Sequence, residues 1–145
     1  MADPPAAYSF VDFAGAPSAA DYKDGRGTAA RFWNPTGIAR RPDGTLVVAD
    51  TNNHAIREIS PDGHVTTLAG GASPQTLARD GRGVHARLQF PTGAAIDDKG
   101  NVYFYEPPTR RVRRVRPDGT VETHLAFYGF FTSISSDSRG RIYVL

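Results

Sequence analysis

No cysteine occurs among the 145 residues. That excludes disulfides and thiolate metal sites without fixing the compartment. No apolar run is long enough to span a bilayer. No charge sign dominates either: 17 Lys+Arg against 15 Asp+Glu leave a formal net charge of +2, too small by itself to argue for a nucleic-acid or membrane partner. The opening MADPPAAYSF lacks the basic and apolar regions of a secretory signal. The protein is therefore expected in the cytoplasm, or in the periplasm or outside the cell if an upstream signal has been removed. There is no nucleophile motif, no cofactor fingerprint and no window with a sustained 3.6-residue apolar period, so almost no helix is expected.

The composition is that of a soluble globular domain, 39% hydrophobic and 22% charged. Gly 15 and Pro 11 are high and regularly placed, which favours a turn-rich β architecture. The regularity has a source. Pro35-Thr36-Gly37 returns as Pro91-Thr92-Gly93, Asp62-Gly63 as Asp118-Gly119, and Asp24-Gly25-Arg26-Gly27 as Asp80-Gly81-Arg82-Gly83, each 56 residues on. Three markers at one offset without a gap are the signature of internal duplication.

Each copy divides into four short strands. The first follows Pro-Thr-Gly (38–40; 94–97) and ends at a glycine turn. The second is strongly β-forming, Leu46–Ala49 and Val102–Tyr105. After a polar or proline-rich turn (50–53; 106–109) comes the third, Ala55–Ser60 or Arg111–Arg116, closed by the hairpin signal Pro-Asp-Gly. The fourth is Val65–Ala69 or Val121–Ala126. Four antiparallel strands with short hairpins and a longer link onward make an all-β propeller blade, which buries its faces only by stacking on neighbours.

The run Pro-x-Gly-Ile-Ala, Asp-Gly-x-Leu-x-Val-Ala-Asp, Asn-x-x-Ile-Arg and Pro-Asp-Gly-x-Val-x-Thr-Leu-Ala-Gly, with Asn53-His54 inside it, resembles the NHL repeat. The resemblance extends from Ser9 to Leu145 and implies a single partial propeller over 1–145. Its parts are the last strand of a preceding blade at 8–15, blades at 32–70 and 88–126, and the first half of a further blade at 130–145. A ring of this family takes roughly six blades, so the ring is incomplete. The family implies a non-catalytic scaffold or a ligand- or protein-binding module. The alternatives are a fragment of a propeller enzyme, of lyase or lactone-hydrolase type, or an RNA-binding propeller. The expectation is that the protein is not an enzyme and needs no cofactor.

Candidate residues are few. His54, His64, His85 and His124 lack metal-ligand spacing and are expected as surface or turn residues, with no metal site. Asp50 and Asn53 are expected to fix a turn through backbone N–H groups. The binding candidates are Arg110, Arg111, Arg113, Arg114 and Arg116, a basic strand expected to be solvated and partly salt-bridged, and Trp33. Trp33, with Phe32 beside it, is read as a plug between blades or a ligand platform at the channel mouth. The expected partner is a protein or small ligand at a propeller face, with RNA a weaker candidate. A homodimer completing the ring is also expected, with Phe10 and Phe13 of one copy near Ile142 and Val144 of the other.

Overall fold

A computed structural model describes residues 11–17, 19–71 and 77–145. It contains two five-stranded antiparallel sheets and a hairpin. The first sheet, blade A, holds β1 (Gly25–Arg26), β2 (Pro35–Arg40), β3 (Leu46–Asp50), β4 (Ala55–Ile59) and β5 (His64–Gly70), ordered β1-β5-β4-β3-β2. Blade B repeats that order with β6 (Gly81–Arg82), β7 (Thr92–Ile96), β8 (Val102–Glu106), β9 (Arg111–Val115) and β10 (Thr120–Ala126). The hairpin pairs β11 (Ile134–Ser136) with β12 (Ile142–Val144). The helical residues described are three 3-10 turns of three residues each.

The fifth strand of each sheet was not expected. It is the Asp-Gly-Arg-Gly segment, which pairs with the outermost strand of the blade that follows it: Gly25 lies opposite Val65 and Gly81 opposite Val121. Val11–Gly15, expected as the end of an outer strand, pairs with no strand, and residues 8–10 of that expectation lie outside the described residues.

Why these segments are strands is clearest in β3 and β8. Leu-Val-Val-Ala-Asp and Val-Tyr-Phe-Tyr-Glu are apolar on both sides because both faces of a central strand are covered. Val47 and Ala49, with Ile56 and Ala69, face blade B, which answers with Ala86, Leu88, Ile96, Val102, Phe104, Val115 and Val121. Each large side chain buried in that seam contributes about 1.5–3 kcal/mol. The inner strands β2 and β7 meet so closely that a Cβ on Gly37 would collide with Gly93, so only glycine fits. Tyr103, Tyr105 and Val112 form the opposite face of blade B and pack on Ile134, Phe131, Ile142 and Val144.

The hairpin is a third copy of the inner half of a blade. In blade B, Asp97 accepts hydrogen bonds from the Lys99 and Asn101 amides (3.0 and 2.8 Å) and from the Tyr103 hydroxyl (3.1 Å). Forty residues on, Asp137 accepts from the Arg139 and Arg141 amides (2.9 and 3.0 Å) and the Tyr143 hydroxyl (3.1 Å). These donors, the Arg141 amide first, hold Asp137 down at about 2.

Candidate functional site

The polar residues of highest burial form a clasp, and it occurs twice. In blade A, Arg57 on β4 is fully buried and places Nη1 2.7 Å from Asp50 Oδ2, also fully buried. Its Nη2 donates to Asp24 Oδ1 at 2.6 Å in the segment that leads into β1. The guanidinium further donates to the carbonyls of Arg31 (3.1 Å) and Lys23 (3.0 Å) and lies about 5 Å from the rings of Tyr22 and Phe32. The Trp33 amide donates to Asp50 Oδ1 at 2.8 Å and Asn53 Nδ2 to Asp50 Oδ2 at 2.9 Å. One arginine thereby fixes the incoming connection, the β3 end and the turn after it.

Blade B carries the same device on drifted residues. Arg113, fully buried, donates to Glu106 (3.0 Å) and to Asp80 (2.9 Å). Glu106 also accepts from the Gln89 amide (2.9 Å) and from Thr109 (3.2 Å). Burial, the larger influence, lifts the carboxyls of Asp50 and Glu106 above their ordinary values, opposed by the arginine and the other donors around each. The sequence reading placed Asp50 and Asn53 in a turn but missed Arg57, Asp24 and their copies. A signal was there: Arg57 and Arg113 stand 56 residues apart, as do Asp24 and Asp80.

This placement corrects the basic strand. Arg113 is no surface group, because alternation along β9 turns it inward with Val115 onto the clasp side. Arg114 and Arg116 are drawn together on Glu122, with Arg114 Nε at 2.8 Å and Arg116 Nε at 3.0 Å from one oxygen. Arg110 is exposed and sits over the Phe130 ring at 4.8 Å. Arg111 is half-buried. The five arginines therefore do not make one basic face.

His54 is also corrected. It is buried, caps the 3-10 turn in the left-handed region (φ 51°), and receives the Phe90 amide on Nδ1 at 3.2 Å. Burial holds its pKa below the ordinary value. The other three histidines are exposed. Among the described residues no three His, Asp or Glu side chains are grouped to hold a metal ion. No helix among them is long and apolar enough to cross a membrane.

Trp33 is not the plug. Phe32 packs with the Val48 and Ile59 cluster, and its repeat equivalent, Leu88, is the buried plug of the A–B seam. Trp33 is 50% exposed. Its backbone is nonetheless rigidly held, by the Asp50 carboxylate on its amide and by the Asn52 amide on its carbonyl (3.1 Å). Two further rings occupy the starts of the next inner strands: Phe90, just before β7, and Phe130, before β11, are 45% and 72% exposed. Phe90 adopts φ 47°, like its equivalent Asn34 at 52°, a conformation that is unfavourable by about 1–2 kcal/mol for a side chain of this kind. His54 meets the Phe90 ring edge-on at 4.4 Å, as Arg110 covers Phe130. Three successive units thus present a ring at the same end of their inner strands.

Residues 32–59 match the NHL repeat family. Over 119 residues the chain is 33% identical to NHL repeat-containing protein 2 of Homo sapiens, covering 75% of this chain and 16% of that protein. It is 36% identical over 95 residues to a virginiamycin B lyase of Nocardia farcinica, covering 60% of this chain and 34% of the lyase. An auxiliary nutrient binding protein of Bacteroides thetaiotaomicron superposes with a TM-score of 0.64 at 18% identity, over 74% of this chain and 33% of that one, a likeness of fold. The chain spans only a third or less of the length of each of these proteins.

Proposed function

We propose that this chain, an NHL-repeat β-propeller segment, is a non-catalytic binding module. It takes a protein or small-molecule partner on the rim formed by Trp33, Phe90 and Phe130, with Arg110 beside them. The carrying observation is the contrast between the two kinds of functional side chain. The buried carboxylates and guanidiniums are engaged with one another and with backbone amides, the pattern of structural ion pairs. The rings are held rigidly, half in solvent, in three units running. Rigid, partly exposed aromatics give contact area at little ordering cost, which is what recognition surfaces use. The strained φ of Phe90 fits this reading, since strain of this kind collects where function needs a fixed side chain.

Relatives with printed activities lie in both classes, a lyase and a nutrient binding protein, and one fold hosts both. The sole tryptophan makes the rim its own reporter. Oligosaccharides, hydrophobic peptides and lactones are titrated while Trp33 emission is followed, with product formation assayed in parallel. A rim ligand shifts the emission, and Phe130→Ala weakens its binding about tenfold or more, as expected of an anchor residue. Arg116→Ser leaves the affinity unchanged. Saturable binding that leaves Trp33 emission and the Phe130→Ala affinity untouched would remove the rim. Turnover of a lactone would overturn the non-catalytic reading.

A further inference from the structure

We infer that a second copy of this chain docks head-to-tail on blade A, its β11–β12 hairpin seated on the face lined by Phe32, Ile38, Val48 and Ile59. The repeat itself says what that face receives. In the A–B seam blade B contributes Ala86, Leu88, Val102, Phe104, Val115 and Val121. Their equivalents 56 residues earlier are Ala30, Phe32, Leu46, Val48, Ile59 and Val65, and these six form a cluster of their own on the other side of blade A. That cluster is half of a seam. An open cavity of about 370 Å³ lies against it, lined by Ala14, Phe32, Pro35, Gly37, Ile38, Val48 and Ile59 among others. Ile38 is 62% exposed there, whereas Ala94, its equivalent inside the A–B seam, is 7% exposed.

The complementary half is also present on the chain. Val47 and Ala49 of β3, the residues blade B packs on, correspond to Tyr103 and Tyr105 of β8, and these in turn to Tyr143 and Leu145. Tyr143 and Leu145 are 44% and 76% exposed. One face of the chain is therefore built like the receiving side of an existing seam and another like the inserting side. A contact between two different faces is heterologous and adds copies in one direction.

The assignment corrects the seam expected from sequence. Ile142 and Val144 point inward onto the Tyr103 and Tyr105 cluster and are not free to dock. Phe10 lies outside the described residues. Phe13 is partly exposed but does not belong to the cluster on the receiving face.

The test is sedimentation velocity on the full 145-residue chain across the micromolar range, with Ile38→Asp and Leu145→Asp variants. The unchanged chain sediments as a concentration-dependent oligomer, and each variant alone as a monomer with an unchanged circular dichroism spectrum. An equimolar mixture of the two variants regains a dimer, because one retains the inserting face and the other the receiving face. A monomeric unchanged chain overturns the proposal. So does oligomer that persists in both variants, or a mixture that stays monomeric, since either would mean that something other than this seam covers the face.

Discussion

Blade A and blade B solve one problem with different residues, and the difference shows which features are required. After β3 the chain reads Asp50-Thr51-Asn52-Asn53; after β8 it reads Glu106-Pro107-Pro108-Thr109. Residue identity has changed at every position, yet the bonds have not. A buried carboxylate takes an arginine, the amide of the residue two before the inner strand's proline, and a donor three residues on. Acceptor chemistry and reach are thus what the fold needs. Blade A adds to the pattern: Arg57 holds two carbonyls and lies against two rings. Asp24 also takes the Thr67 hydroxyl at 3.0 Å and the Thr67 amide at 3.2 Å. At the positions of Tyr22 and Phe32, blade B has Ala78 and Leu88.

The sharpest way to break the comparison is to remove one arginine at a time. Arg57→Met leaves Asp50 charged, buried and unpaired, and should destabilise by about 3–5 kcal/mol. That approaches the whole stability of a small domain. Arg113→Met should lose somewhat less, because it gives up no carbonyl or ring contacts. Urea midpoints followed by circular dichroism rank the two, and a larger loss at Arg113 would reverse the comparison.

A smaller effect is expected from carboxylate length. Glu106→Asp withdraws the acceptor by one methylene from Arg113 and the Gln89 amide, for a loss of about 1–2 kcal/mol. Smaller again is the half-exposed arm of the clasp. Asp24→Asn should destabilise by about 1 kcal/mol, and more than Asp80→Asn, because Asp24 alone holds Thr67. Hydrogen exchange at the Thr67 amide reads this directly, with protection lost in Asp24→Asn and kept in Asp80→Asn.

The smallest difference is in pH response. Blade A has buried His54 where blade B has exposed Arg110. Burial holds the folded His54 below the ordinary 6.5, so the unfolded chain binds the extra proton first. Burial is the one influence on its ionisation, since no charged side chain shifts it. Its contribution is complete above about pH 6.5 and is lost as pH falls below that value. His54→Gln should flatten the slope of stability between pH 7 and 5, and an unchanged slope would assign it to another group.

The strands, their order within a blade and the seams were legible from the 56-residue offset, because apolar alternation and Gly turns act locally. The clasp was not. Arg57 and Asp24 are 33 residues apart, and a basic residue in a strand reads as exposed until a carboxylate from a distant connection is known to cover it. Arg113 was misjudged for the same reason, its neighbours Arg114 and Arg116 making the run look like one surface. The outward turn of Trp33 was hidden too, since Phe32 and Trp33 are adjacent and only the backbone decides which faces the seam.

That the buried polar residues of each repeat serve to hold the connection to its blade, and serve no chemistry, is tested most directly by a double-mutant cycle on Glu106 and Arg113. Glu106→Leu and Arg113→Met are compared singly and together by urea unfolding. Each single change should lose about 3–5 kcal/mol, while the pair, which leaves no charge stranded in the interior, should recover most of that loss. Losses that simply add would contradict a clasp and show that the two side chains act independently.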